Sequence, residues 1–543
     1  MAAESSASGS ASGASGGRRI ARNTAIFSLA TGASRIAGLV REIVASSYFA
    51  TSGAFSAFTI AFQVPNLIRS LFADAALSAA FVPVFTEMLE QGRKREAFRL
   101  ASTLFFSILL VLGAITAAFI LGAGVIMPLF TGGFGHSLDH LTVGLSRVLF
   151  PIVVLLGING LLVGILNAYD HFSIPAISPL VWNVVILIAL IVLKGQFHGQ
   201  NQLYAYAIGV LIGTVVQLAM VIPVLARIGF RIEWHFDWRD ERVRRVFALM
   251  LPVTIGLGVI NFDLLINSTL GSLVSNQAPR AIDAAFRIYM LPQGMFSVAL
   301  ATVLFPALSR LAARQDFDGL RATMASGARQ IAMLLLPAAA FTLVLATPVV
   351  RLIYQHGKFG PHSTDQVSLA LFWFSFSLPF SGVNLLLTRT FFSLQRPWIP
   401  TALAGVNMVV NAGLSLALYK PFGIAGLVIG TAVGSAGMTA MQAWYLRQEL
   451  GGGLEGRKTA TSLAAIVSAS ALLAVCSYIV WASVDYVLGR STPAQIVSVG
   501  LAGAAGVAVY AWSVLWMRMP EAEQMRGLLQ PRLERMRPGR AHD

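Results

Sequence analysis

Cysteine is nearly missing: Cys476 is the only one in 543 residues. An internal disulfide is therefore excluded, and so is a zinc or iron–sulfur centre that needs several thiolates. Charge is scarce too. Charged residues make up 12% of the chain and hydrophobic ones 56%, against roughly 25% and 45–50% in soluble globular proteins. That balance rules out an ordinary soluble enzyme, a nucleic-acid-binding module and a small secreted scaffold. No GxxxxGK[ST] tract is present, so ATP held in a phosphate-cradling loop is not the evident driver. Acidic residues are the scarcer sign, 24 against 39 Lys and Arg, for a net charge of +15. Residues 1–17, MAAESSASGSASGASGG, lack the apolar segment of a signal peptide, and 1–19 reads as a disordered tail.

What the chain has in excess is apolar runs, with a mean hydropathy of +0.72. A spanning helix needs about 20 mostly apolar residues. That criterion places spans at 22–48, 54–88, 98–127, 141–168, 174–194 and 203–226. A second series follows at 246–275, 281–309, 328–355, 366–393, 398–418 and 423–446, then a pair at 460–484 and 494–517. The expected fold is an all-α polytopic membrane protein of about fourteen transmembrane helices. Two six-helix lobes, 20–235 and 236–450, precede a helix pair within 451–519 and a cytoplasmic tail at 520–543. With the N-terminus inside, twenty-seven Lys and Arg fall in cytoplasmic segments, six within spans and six, Arg280 among them, on the opposite side. This bias follows the positive-inside rule and puts both termini in the cytoplasm. The positive charge then faces anionic headgroups.

The chain also echoes itself. LFTGGFG (129–135) returns as IYQHGKFG (353–360), NAYDHFSIP (167–175) as RTFFSLQRP (389–397), and AAFVPVF (79–85) as TVLFPAL (302–308). All three pairs keep nearly the same offset, 222 to 225 residues. Six spans per half is an even number, so the halves should be related by a two-fold axis along the membrane normal, with a cavity at mid-depth.

Arginines lie where lipid should be. An arginine at the bilayer centre costs about 2.5–3.5 kcal/mol on insertion scales, so such residues usually face a wet interior. Arg35 and Arg41 fall in span one, Arg69 with Asn66 and Asp74 in span two beside Pro65, and Arg287 in span eight before Pro292. Snorkelling, or neutralisation by Glu42 and Asp74, is the bland alternative. Two carboxylates cannot neutralise four arginines, and the surplus predicts a cationic cavity for an anion. Guanidinium forks suit phosphate. Arg147 and Arg389 are placed near the membrane surfaces as snorkelling side chains.

Four tracts carry a resemblance: SRIAGLVRE (34–42), VPNLIRSLFADAALSAAFVPVF (64–85), GILNAYDHFSIP (164–175) and RIYMLPQGMFSVALATVLFPALS (287–309). In these the chain resembles the MurJ/MviN family of lipid II flippases, within the multidrug/oligosaccharide-lipid/polysaccharide exporter superfamily, from about residue 20 to 517. The resemblance implies two six-helix lobes, with helices 13 and 14 forming a groove for a polyprenyl tail. Its implied substrate is undecaprenyl-diphosphate-linked disaccharide pentapeptide, moved from the cytoplasmic to the periplasmic leaflet of the inner membrane. The family's cavity arginines fall on Arg35, Arg41, Arg69 and Arg287. Where relatives often have Glu-Gly this chain has Asp74-Ala75, and where some carry carboxylates beside the span-eight arginine it has Phe286 and Met290. A sodium site found in some members maps onto Asp263, Asn407, Asn411 and Thr431, with the rival reading that asparagines simply glue membrane helices together. Na+ or H+ is the implied coupling ion, with no other cofactor, and membrane lipids and lipid II as partners of a monomer.

Three rivals stand beside this reading. A cationic-drug exporter should be lined by carboxylates. A polysaccharide-repeat flippase shares the polyprenyl diphosphate. A membrane enzyme acting on a lipid diphosphate needs clustered acids, histidines or metal ligands at one surface; His136, Asp139 and His140 are the nearest to such a group and read first as a polar loop.

Overall fold

The computed structural model describes residues 30–72, 74–234, 236–453, 455–517 and 519, with the backbone alone described at 72, 74–79, 251–253 and 255–261. Every regular element among the described residues is helical. The chain divides into two units, one running to Arg280 and including His356–Lys358, the other formed by Ala281–Gln355 and the residues from Phe359 on.

The first unit holds α1 (30–49), α2 (Gly53–Phe72), α3 (Asp74–Glu90), α4 (Lys94–Ile126), α5 (His136–Leu149), α6 (Pro151–Ala168), α7 (Ser173–Leu193), α8 (Leu203–Arg227) and α9 (Glu241–Val274). α10 (Ala278–Pro292) leads into the second unit. There follow α11 (Val298–Ala313), α12 (Phe317–Val344), α13 (Ala346–Tyr354), α14 (Pro361–Ser393), α15 (Trp398–Phe422), α16 (Ile424–Glu449), α17 (Gly456–Leu488) and α18 (Thr492–Trp516).

Local chemistry explains the ends. Asp240 caps α9 through the Arg242 N–H at 2.8 Å, and Asp316 caps α12 through the Gly319 N–H at 2.9 Å. Pro151 and Pro361 open α6 and α14, where the missing N–H costs nothing. Pro292 closes α10, and a π turn at Gln293–Ser297 carries the chain on to α11.

Among the described residues, eleven helical segments are long and apolar enough to cross a membrane. They match the expected spans three to six and eight to fourteen. Of the other three expected spans, 22–48 and 54–88 include residues outside the described set, and 246–275 coincides with α9, where the backbone alone is described at 251–253 and 255–261. α9 falls in the first unit because it lies along α2 and α3.

The first unit's core is an aromatic seam in which Phe58 stacks on Tyr206 at 4.5 Å and Phe55 meets Phe49 edge to face at 5.6 Å. In the second unit α16 lies against α15 along Gly426, Gly430 and Gly434, four residues apart. A Cβ on Gly426 would sit 2.2 Å from the Leu418 carbonyl, so these glycines let two backbones touch. The C-terminal pair, α17 and α18, seats on α12 through Ala332, Met333, Ile466, Ala469 and Val514.

The sequence echo has a structural counterpart. Gly133, in the first copy of the repeated loop, donates its N–H to Ser272 Oγ at 3.4 Å near the end of α9. Lys358, at the matching place in the second copy, donates its N–H to the Ser47 carbonyl at 2.8 Å near the end of α1. Gly133 and Lys358 are 225 residues apart, and so are Ser47 and Ser272. Each copy of the loop grips the end of the first helix of the opposite half.

Candidate functional site

α1 presents its two arginines differently. Arg35 is exposed. Arg41, nearly two turns on, is 8% exposed, its guanidinium 5.0 Å from the Trp182 ring of α7. The Nε of Arg41 is buried without a hydrogen bond, and no carboxylate pairs with the side chain among the described residues. A cation over an aromatic ring gains roughly 0.5–2 kcal/mol, which does not neutralise it. The charge remains available to an anion.

On α2, Pro65 precedes the half-buried Asn66, whose Oδ1 accepts from Arg69 Nε at 3.1 Å and Nη2 at 2.9 Å. This fork orients the guanidinium on α2. The Asp74 side chain lies outside the described residues.

In the second unit Arg287 Nε pairs with Asp283 Oδ2 at 2.9 Å, one helical turn earlier on α10. The sequence reading looked for a carboxylate at Phe286 and Met290 and missed this one. The four-residue spacing was the available signal.

Glu42 requires a correction. The sequence offers it as a neutraliser of its neighbours in span one, yet it pairs with Arg280, a residue expected in a loop. Arg280 is 1% exposed; its guanidinium donates to Glu42 and to Ser46 Oγ (2.8 Å) and lies 4.0 Å from the Phe55 ring. Its backbone N–H donates to Ser56 Oγ at 3.2 Å. No local spacing announces a pair 238 residues apart.

The expected cation ligands divide between units. Asn411 Oδ1 accepts from Ser415 Oγ at 3.3 Å and Thr431 Oγ1 at 3.4 Å, joining α15 to α16. Asn407 Oδ1 is buried without a partner and faces Gly434. Asp263 is a half-buried residue of α9 in the first unit. Three neutral oxygens close together suit a hard cation. Of the residues expected to snorkel, Arg147 is exposed, and Arg389 lies 5.4 Å from the Phe305 ring. His136 and His140 are exposed, and no group of three acids, histidines or cysteines forms among the described residues.

Known proteins supply the comparison. The family model described as lipid II flippase MurJ matches residues 45–497. A relative named lipid II flippase MurJ, from Burkholderia cenocepacia, is 30% identical over 74% of this chain and 79% of its own length. One from Vibrio cholerae, named probable lipid II flippase MurJ, is 29% identical over 77% and 81%. Among solved structures, lipid II flippase MurJ in an inward closed conformation aligns with a TM-score of 0.76 at 21% identity, covering 91% of this chain and 98% of that one. An inward-facing multidrug resistance MATE transporter of the MOP superfamily aligns at 0.66 and 15% identity, covering 78% and 94%. At these identities the structural likenesses establish the fold.

Proposed function

The chain belongs to the lipid II flippase MurJ family, and we propose that its membrane-depth arginines hold the diphosphate of lipid II while alternating access carries the headgroup across. It is a transporter rather than an enzyme, a multi-pass inner-membrane protein that flips the lipid-linked precursor of peptidoglycan. In the proposed orientation both termini are cytoplasmic, and the headgroup moves from the cytoplasmic to the periplasmic leaflet.

Arg41 is the observation that carries the site: a buried guanidinium with an aromatic floor and no carboxylate partner among the described residues. Burying an uncompensated charge is expensive, and an anionic ligand offsets that cost. Arg35 and Arg69, the latter aimed by Asn66, supply further donors, with Asp74 beside them in sequence. Arg287 already carries Asp283 on its Nε, so a diphosphate there competes with a carboxylate for the guanidinium, and the carboxylate reclaims the arginine on release. The polyprenyl tail stays in lipid along α17 and α18.

In the second unit Asn407, Asn411 and Thr431 are the residues proposed for a coupling Na+, and in the first unit Asp263 is the one proposed for a coupling cation or proton. The ion would supply charge for the membrane potential to drive, about 2.3 kcal/mol per elementary charge per 100 mV. The test is depletion of the protein in cells, with labelling of externally exposed lipid II, complemented by Arg35→Ala, Arg41→Ala, Arg69→Ala and Arg287→Ala singly and together. Full exposure of lipid II by a well-expressed quadruple variant would remove the proposed site.

A further inference from the structure

The loop after α8 runs back along the first turns of α4. Lys94 Nζ donates to the Ile228 carbonyl at 3.2 Å, and Phe98 meets Phe230 edge to face at 5.1 Å. Ser102 Oγ accepts the Glu233 N–H at 3.0 Å, and Phe106 stacks on Trp234 at 5.0 Å. Lys94, Phe98, Ser102 and Phe106 recur every four residues, so one stripe of α4 holds the strap. Arg99 adds an ion pair to Glu233 at 3.3 Å. Past the last of these contacts lies an apolar groove of about 640 Å³, lined on α4 from Phe106 to Ala117 and rimmed by Trp234 and Phe236.

We infer that this groove holds one acyl chain of an anionic phospholipid, drawn from the leaflet at the N-terminal end of α4. Depth is the first argument. Phe106 to Ala117 rises ~17 Å at 1.5 Å per residue, close to half of a ~30 Å hydrocarbon core. The groove is one leaflet deep. Its floor is open as well: a Cβ on Gly113 would meet no atom within 4 Å. Trp234, 95% exposed, stands at the rim, where an indole belongs at a membrane–water boundary.

Charge selects the headgroup. Arg231, three residues ahead of Trp234 on the strap, and Arg95, in the first turn of α4, are exposed and have no ion-pair partner among the described residues. Basic side chains at that level attract anionic lipid. The site lies outside the transport machinery, and its occupancy does not depend on how lipid II moves.

Full-length protein in phosphatidylcholine nanodiscs doped with phosphatidylglycerol, with retained lipids counted by native mass spectrometry, tests the assignment. The wild type should retain one phosphatidylglycerol in preference to phosphatidylcholine. Gly113→Leu, whose Cβ enters open space, should lose that lipid at unchanged thermal stability. Trp234→Ser, a change on an exposed loop, should weaken its retention. Arg231→Gln should keep a lipid but lower the preference for phosphatidylglycerol about fivefold. Equal retention by the wild type and both Gly113→Leu and Trp234→Ser overturns the groove. An unchanged preference in Arg231→Gln overturns the headgroup assignment. Displacement of the retained lipid by added undecaprenyl phosphate in the wild type, but not in Gly113→Leu, gives the groove to a substrate tail and overturns the proposal.

Discussion

Arg280 and Glu42 form a pair in which each residue keeps the other's charge tolerable. Removing one partner of a buried pair leaves an uncompensated charge and costs about 3–5 kcal/mol, whereas replacing both by apolar groups is often neutral. Glu42→Ala should therefore lower the thermal midpoint of purified protein sharply, and Glu42→Leu with Arg280→Met should recover most of it. A midpoint unchanged in Glu42→Ala would contradict the pairing. Glu455 gives a pH-dependent case outside the spans. A hydrogen bond from Arg329 at 2.9 Å, opposed by burial and aided by Lys458, holds its carboxyl below the ordinary 4.5. A carboxyl depressed in the folded state contributes stability above its unfolded pKa and loses it as pH falls through the folded one. The stability gap between wild type and Glu455→Gln should be full above pH 4.5 and close below it, in melts taken across that range. Arg287 adds a functional prediction: Asp283→Asn should hold lipid II more tightly while turning over more slowly, because nothing reclaims the arginine. Faster turnover with weaker retention would remove Asp283 from the release step.

Helices were the most legible level. Eleven of the expected spans recur as apolar helices, because twenty apolar residues admit few alternatives in a membrane. Breaks inside helical runs were less legible: the span expected at 328–355 is interrupted at Leu345, between α12 and α13, where the one cue in the sequence is Pro348, in the first turn of α13. Contacts between elements left still less trace. The glycines of α16 could be seen in sequence, but only the structure shows Gly426 against a backbone carbonyl while Gly405, on α15, meets nothing within 4 Å. The two should respond oppositely to the same change. Gly426→Ala forces α15 and α16 apart and should destabilise by about 1–3 kcal/mol. Gly405→Ala only raises helix propensity and should stabilise by about 0.5–1 kcal/mol. Melting both variants checks the sign as well as the size.

For the whole molecule, the repeat and the charge bias were readable because each is a sum over many residues, so single misreadings average out. The partners of individual arginines were not, since Arg41 with Trp182 and Arg280 with Glu42 join residues more than a hundred positions apart. The charge bias makes the strongest prediction at this scale: twenty-seven basic residues on one side of the expected topology against six on the other predict an orientation with both termini in the cytoplasm. It can be read directly because the chain has one cysteine to remove. In a Cys476→Ser background, Gln200→Cys reports on the exposed loop between α7 and α8, and Gln91→Cys on the exposed turn between α3 and α4. The arginine-rich turn at 91–95 should face the cytoplasm, where an impermeant maleimide reaches it only after the inner membrane is opened. Gln200→Cys should react in cells whose outer membrane alone has been permeabilised. The reverse pattern would invert every helix and place the Arg231–Trp234 strap in the outer leaflet. Reaction of both from one side would mean that an even number of spans, not the expected three, separates residues 91 and 200, and the fourteen-span topology would have to be redrawn between α4 and α7.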